Sequence, residues 1–317
     1  MLWLSESDVV RLLPMAEAIG QMRAAFEDLA RGEASNQPRR RLVLPSGAVL
    51  HSMAGAWGGY FGAKIYSTHP GSGAHFLVLL YRAEDGRPLA LIEANHLGQI
   101  RTGATTGLAT DLLAAPEAST VGLIGSGFQA RAQLEAVAAV RQLRRIRVWS
   151  PTREHRERFA AEQSEKLGVE VRSVGSAREA VEDAEIVVTA TSAREPVLEA
   201  DWVAAGAHVN AVGSNQPRRR ELPAQLVRRA DLIVVDSVEQ ARIESGDLLL
   251  AFADDDWRRL VELKDLVAGR LLWERPPGKV SVFKSNGLGL EDVAAAALVY
   301  RKAVAEGCGR ELPLFHS

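Results

Sequence analysis

The residues with the clearest chemistry are Gly125, Gly127 and Ala130, in the stretch VGLIGSGFQA at 121–130. An apolar run ends in Gly-Ser-Gly, and helical spacing begins at Phe128. This is the G-x-G-x-x-A form of the dinucleotide fingerprint. The first glycine allows the turn, the second lets a pyrophosphate approach the backbone, and the small third residue packs helix on strand. The anion rests on the N–H groups at the helix start, with the helix dipole behind them. Cofactor contacts are expected at Gly125, Ser126, Gly127, Phe128, Gln129 and Ala130. A glycine turn alone binds nothing in particular, and here the strand before it and the helix after it supply the context.

A second set of residues is cationic. Arg39, Arg40 and Arg41 lead into LVLP, a strand on which alternate side chains face opposite ways. One guanidinium can face a pocket while its neighbour stays in solvent, and the spacing alone does not choose between them. A guanidinium makes two parallel bonds to a carboxylate, which suits an amino or keto acid. A solvated basic cluster is the plain alternative. Lys64 sits between Ala63 and Ile65, and a lysine in a buried strand requires an anion or a function. Arg101 lies among small and apolar neighbours in QIRTGATTGLA, so a buried partner is expected for it.

These groups need elements to hold them. Ser5 and Asp8 fit a capping box opening a helix through Leu13, and a second helix is expected over 15–31 with Gly32 as its stop. Glycine- and proline-broken strands follow to residue 69, then a hairpin around Glu84-Asp85-Gly86 and a helix containing Arg101. Past the fingerprint, strand and helix alternate, as in a parallel nucleotide-binding sheet. The strand over 146–149 ends in Ser150-Pro151-Thr152-Arg153, where an NAD enzyme usually carries an acid for the ribose 2′-OH. Serine, threonine and arginine there accept a 2′-phosphate without repelling it, so NADP(H) is favoured over NAD(H). Thr152 also suits a helix cap. Thr191, Ser192 and Asn215 follow later strand ends, where ligands of such sheets bind; the two hydroxyls fit helix caps equally well.

With 38 Lys+Arg against 40 Asp+Glu, the net charge of −2 gives no nucleic-acid surface. The single cysteine, Cys308, excludes a disulfide framework or a cysteine metal cluster within the chain, and no metal site is expected. No secretory signal and no apolar run of about 18 residues is present, so the expectation is a cytoplasmic protein off the membrane.

Several stretches together make the chain resemble the ornithine cyclodeaminase/mu-crystallin family: QIRTGATTGLA, VGLIGSGFQA, HVNAVGSNQPRRREL, VVDSVEQARIESGDLL and VFKSNGLGLEDVAAA. The resemblance covers nearly the whole chain. It implies an α/β protein in which a central Rossmann-type domain, 114–287, is flanked by an α+β substrate-binding and dimerisation domain built from both chain ends, 1–113 with 288–317. It also implies a homodimer, and hydride exchange between NAD(P) and the α-carbon of an amino acid or its imine. The family's carboxylate clamp falls on Arg41, Lys64 and Arg101, with Arg40 or Arg39 in place of Arg41 if the alignment slips. Cofactor contacts carry over to Gln129, Ala130, Ser150, Thr152, Arg153, Thr191, Asn210, Ala211, Val212, Arg219 and Ser285, with Arg101 beside them and Ser192 next to Thr191. His51, Asn215 and Asn286 join the substrate contacts.

Three departures shape the expected chemistry. Ornithine cyclodeaminases carry an aspartate where this chain has Asn215, and an amide cannot take a proton. The acidic substrate contact before Met53 is replaced by His51 or Ser52, which weakens the case for a second, cationic amine. A cofactor-touching hydroxyl before the hairpin has no match beside Gly73 and His75. The leading expectation is therefore reduction of a small imine or cyclic ketimine carboxylate such as 1-pyrroline-2-carboxylate, reversible as amino-acid oxidation. Lys64, or a water near Asn215, is expected to protonate the nitrogen. The alternatives are ornithine cyclodeamination and a non-catalytic NADPH- or ligand-binding protein.

Overall fold

The computed structural model describes residues 1–314; positions 315–317 of the expected terminal domain lie outside the described residues. The chain divides into two compact units, Met1–Thr105 with the segment from Gly287 onward, and Thr106–Asn286. The first boundary falls inside a helix, eight residues before the expected 113/114 division. The helix's last turns belong to the second unit: Thr110 Oγ1 accepts from Asn210 Nδ2 at 3.0 Å, and the Thr110 and Ala114 carbonyls accept from Arg141 Nη2.

The first unit opens with β1 (Leu2–Leu4), α1 (Glu6–Leu12) and α2 (Met15–Arg31). Ser5 and Asp8 form the reciprocal capping box, each side chain taking the other's backbone N–H. Gly32 ends α2 in a left-handed conformation, φ 78°. Then come β2 (Ser35–Val43), β3 (Val49–Trp57), β4 (Tyr60–His69), β5 (Gly73–Arg82) and β6 (Pro88–Glu93), followed by α3 (Asn95–Leu113).

The second unit contains β7 (Thr120–Ile124), α4 (Phe128–Val140), β8 (Arg145–Trp149), α5 (Arg153–Leu167), β9 (Val171–Ser173), α6 (Ala177–Val181), β10 (Ile186–Thr189), β11 (His208–Ala211), α7 (Ala224–Arg229), β12 (Leu232–Val235), α8 (Val238–Glu244), α9 (Gly246–Leu249), β13 (Leu260–Glu262), α10 (Leu263–Val267) and β14 (Ser281–Lys284). The chain returns to the first unit through α11 (Gly289–Glu306) and β15 (Arg310–Glu311).

In the second unit the strands are all parallel, in the order β13-β12-β14-β11-β10-β7-β8-β9. The order reverses between β7 and β10, which makes the carboxyl ends of those two strands the ligand crevice of a Rossmann-type sheet. Strands β10, β11, β12 and β14 are buried throughout, as a sheet covered on both faces requires.

In the first unit the order is β15-β1-β6-β5-β4-β3-β2. Strands β2 to β6 form an antiparallel meander, so one face can be buried and the other not. Alternation puts His51 and Met53 of β3, Lys64 and Tyr66 of β4, and Val78 and Leu80 of β5 on the buried face. Helix α11 packs against β2, β3, β4 and β5. Its start reaches backbone contact because two glycines face each other: a Cβ on Gly55 would lie 2.6 Å from Leu290 N, and one on Gly289 2.5 Å from the Ala54 carbonyl oxygen. Asn36 Oδ1 accepts from Leu290 N at 3.1 Å and fixes the same junction.

Candidate active site

The first unit gathers a buried charge cluster around Lys64. Its Nζ donates to Asp292 Oδ1 at 2.8 Å, and Arg101 Nε donates to the same oxygen at 3.0 Å. Arg101 Nη1 donates to Glu291 Oε2 at 2.6 Å. The Lys64 and Arg101 side chains are 3% and 6% exposed and both acids 0%, so these pairs operate in a medium that screens them poorly. Gly287, at φ +79°, leaves room for the guanidinium; a Cβ there would meet Arg101 Nη1 at 2.4 Å.

A bulge sets the three arginines at different depths. Register shifts between Gln37 and Arg40, and the consecutive residues Pro38 and Arg39 both turn inward. Arg39 is buried, its Nε 3.3 Å from Met53 Sδ, and its charge acts on Lys64. Arg41, the expected clamp residue, is half-buried opposite His51, while Arg40 is exposed. Arg39 rather than Arg41 is thus the deeper neighbour of Lys64, because the bulge breaks the alternation the sequence implied.

His51 lies flat on Tyr66, with ring centroids 4.2 Å apart, and its Nε2 meets Thr68 Oγ1 at 3.1 Å. Burial, then Arg41, Arg39 and Lys64, push its pKa down to about 4, so the ring is neutral at pH 7. Its Nδ1 is buried with no hydrogen-bond partner among the described residues. Burial first, and repulsion from Arg101 second, push Lys64 down to about 8, against the opposing pull of Asp292.

In the second unit the fingerprint takes the expected form. Gly125 has φ +113°, and a Cβ there would strike the Ala190 carbonyl oxygen at 2.4 Å. Nothing lies within 4 Å of a Cβ built on Gly127. Gly127 caps α4 with no side-chain hydrogen bond, and the helix's first turn carries no acid. A bare, exposed helix start of this kind fits a dinucleotide pyrophosphate. Phe128 is exposed and Ala130 buried, and Gln129 Oε1 is a buried acceptor with no partner among the described residues.

At the ribose end, Ser126 Oγ and Ser150 Oγ are 2.8 Å apart. Thr152 sits at the N-cap of α5 but makes no side-chain cap bond, so capping does not account for it. Arg153 pairs with Glu157 at 2.7 Å on the exposed helix surface. Arg156, which sequence reasoning passed over, donates to the Ser150 carbonyl at 2.9 Å and has a buried Nε without a partner among the described residues. The only signal for it was its place one turn past Arg153.

Other expected cofactor contacts are committed to the protein itself. Asn210 is fully buried in a strand paired on both sides, and its amide is shared between His208 Nε2 and Thr110 Oγ1, so its side chain is a structural link. Ala211 and Val212 take part through backbone bonds to Ser285 N and the Thr189 carbonyl. Thr191 gives both its N–H and its hydroxyl to Glu221 Oε1 and is no helix cap, while Ser192 is exposed. Ser285 is buried with Oγ 3.5 Å from Asp236 Oδ2, and Asn286 N donates to that oxygen at 2.6 Å.

The Asn215 loop is held from beneath. Glu221 Oε2 accepts from Gly213 N at 2.7 Å, Arg219 O accepts from Ser214 Oγ at 3.1 Å, and Ser214 O accepts from Lys284 Nζ at 2.6 Å. Glu221 and Lys284 were not singled out in the sequence, although GSNQPRRREL and VFKSN contain them. Neither were Glu291 and Asp292, the counter-charges of the clamp. Arg101, Lys64, Arg39 and the two acids therefore meet in one unit, while Asn215, Ser285, Asn286 and the fingerprint belong to the other. Among the described residues no helix is long and apolar enough to cross a membrane.

The sequence and the fold are similar to those of known proteins. The chain is 37% identical over 239 residues to the Delta(1)-pyrroline-2-carboxylate reductase of Bacillus cereus, covering 74% of this chain and 73% of that one. It superposes with a TM-score of 0.94 and 35% identity on the Thermococcus litoralis Delta(1)-pyrroline-2-carboxylate reductase in complex with NADH and L-proline, covering 98% and 100% of the two chains. An archaeal alanine dehydrogenase dimer with bound NAD matches with a TM-score of 0.93, 30% identity and 99% coverage of both chains. The model of the Ornithine cyclodeaminase/mu-crystallin family matches residues 2–307, and with that span and these relatives the chain belongs to that family.

Proposed function

We propose that the protein is a nicotinamide-dependent reductase of small imine or cyclic ketimine carboxylates, of the 1-pyrroline-2-carboxylate type, running in reverse as an amino-acid dehydrogenase. The observation that carries this reading is the buried cluster. Arg39, Lys64 and Arg101 lie buried together with Arg41 half-buried at their edge, and Glu291 and Asp292 pair with Arg101 and Lys64. Guanidinium and ammonium groups gathered in this way bind a carboxylate by charge-assisted, paired hydrogen bonds, which suits the carboxylate of an amino or imino acid. The bacterial and archaeal reductases named above support the substrate class.

A reduced nicotinamide, when bound, supplies the hydride that the imine carbon receives. Gly125, Gly127 and the uncapped start of α4 are the residues that would hold its pyrophosphate. Arg39 or Arg41 and Arg101 hold the substrate carboxylate and fix the orientation of the imine, and such fixing removes several kcal/mol, up to about 7–11 in favourable cases. Lys64 has three ammonium N–H groups, of which one is hydrogen-bonded to Asp292; it transfers another proton to the imine nitrogen as the carbon is reduced and is left as the neutral amine. The neutral His51 presents its Nδ1 as a further polar contact. The NADP(H) form is preferred, because Ser150, Thr152, Arg153 and Arg156 occupy the ribose end where an acid would repel a 2′-phosphate.

The protein acts as a homodimer through the outer face of the first unit's sheet. Leu42, Leu50, Phe61, Ile65 and Leu77 are 37–60% exposed there, Leu42 paired with Leu50 and Ile65 with Leu77 across neighbouring strands, and exposed apolar surface of this kind marks an association face. The archaeal dimer supports this occupant.

The test is a screen of cyclic imines and amino acids with each nicotinamide cofactor, followed by the absorbance of the reduced ring. Oxidation of NADPH by 1-pyrroline-2-carboxylate is expected, with no ammonia released from ornithine. Proline and ammonia from ornithine without net cofactor change would instead establish cyclodeamination. Tight NADPH binding with no turnover on any substrate would establish a binding protein.

A further inference from the structure

Asp292 is in contact with both Lys64 and Arg101. We infer that it is a positioning residue for Lys64, aiming the ammonium and holding the transferable proton on its nitrogen. The inference rests on the reading of Lys64 as the proton donor. Oδ1 receives Lys64 Nζ at 2.8 Å and Arg101 Nε at 3.0 Å, so a single oxygen sets the spacing of the two cations. Its other oxygen, Oδ2, is buried with no hydrogen-bond partner among the described residues. The contact shared at Oδ1 fixes the direction of the ammonium relative to the guanidinium.

The position is over-determined. Asp292 lies in the first turn of α11, where the helix dipole favours its ionised form. The glycine pair 55/289 and the Asn36 bond fix that turn against β3, whose Met53 is in register with Lys64. The groups facing Lys64 are Arg39 from β2, His51 from β3, Tyr66 beside it on β4 with its ring 5.8 Å away, Arg101 from α3, and Glu291 and Asp292 from α11. Burial and the two arginines drive the proton off Lys64, and Asp292 is the acid among the causes that keep it there.

The experiment is the pH dependence of imine reduction in Asp292→Asn, with folding checked by circular dichroism and melting. The expected result is an alkaline limb of kcat/KM moved down by about one pH unit or more, since the charge favouring the ammonium is gone. A folded Asn variant with the wild-type limb overturns the inference, whatever its activity. If that variant does not fold, Asp292→Glu replaces it. The charge then stays and the aim changes, so kcat should fall at least about tenfold with the limb unmoved; a wild-type kcat overturns the inference. A wild-type protein inert on every imine removes the functional reading and this inference together, whereas wild-type turnover with an unmoved limb in the Asn variant removes this inference alone.

Discussion

Lys64 and Asp292 stand 228 residues apart in the chain and 2.8 Å apart in space, on side chains 3% and 0% exposed. The pair joins a strand near the beginning of the chain to a helix near its end, and it makes the chemistry of the first unit depend on both.

Removing the ammonium tests that dependence first. Lys64→Ala should cut kcat/KM for imine reduction by about 10²–10⁴-fold. It should also lower stability by up to about 3–5 kcal/mol, less if Arg101 alone satisfies Asp292. In the wild type, reduction should decline above about pH 8 as Lys64 loses its proton. The sign for stability is the opposite. The folded pKa lies below the ordinary lysine value of 10.5, so the unfolded chain binds more protons between pH 8 and 10.5, and the Lys64 contribution to stability rises across that window. Steady-state rates and melting curves over pH 6–10, as a rough range, check both directions.

The ribose end gives a selective prediction. Arg153 is held by an exposed i,i+4 pair with Glu157, an interaction weak enough to be exchanged for a phosphate. Arg153→Ala should raise KM for NADPH about tenfold and leave KM for NADH nearly unchanged. Equal losses for the two cofactors would remove the 2′-phosphate assignment.

Acid stability should report His208. Its ring is fully buried between Ser281 Oγ and Asn210, and burial pushes its pKa down to about 3. His51 lies at about 4 by the same cause with three cations added. Both depressed values mean that stability present above about pH 6.5 is lost as pH falls toward 3, because the unfolded rings take protons first. At about 1.4 kcal/mol per unit, the loss for His208 approaches several kcal/mol. His208→Asn should flatten the dependence of urea midpoint on pH below about 6.5; an unchanged slope would show that other groups govern acid unfolding.

The outer sheet face predicts an assembly phenotype. Ile65 and Leu77 are directly opposite each other on β4 and β5, 37% and 41% exposed. Ile65→Glu puts a charge in the middle of that surface and should yield monomers by light scattering, without loss of the helical circular dichroism signal. A dimer that survives this change associates through another face.

The local features were legible in the sequence because their causes are local. The Ser5–Asp8 box, the Gly32 stop and the Gly125–Gly127 turn each depend on residues within a few positions, and each took the expected form. Lys64 and Arg101 announced themselves as misplaced charges, but their partners did not. Glu291 and Asp292 read as an ordinary acidic first turn of a helix, and only the close approach at Gly55 and Gly289 brings them to the sheet. The choice among Arg39, Arg40 and Arg41 turned on a bulge that pattern reading does not register. The amide of Asn210 is bonded to His208, two residues back, and to Thr110, a hundred residues upstream, and the second of these contacts has no local signal in the sequence.

The glycine contact between β3 and α11 also bears on how the protein is made. Translation delivers Lys64 on β4 and Arg101 on α3 long before Asp292 and Glu291, the acids they pair with in the folded unit. Burying the two cations at that stage would be strongly unfavourable. The first unit is discontinuous in the chain, so the Lys64–Asp292 pair forms only after residues 106–286 have been made.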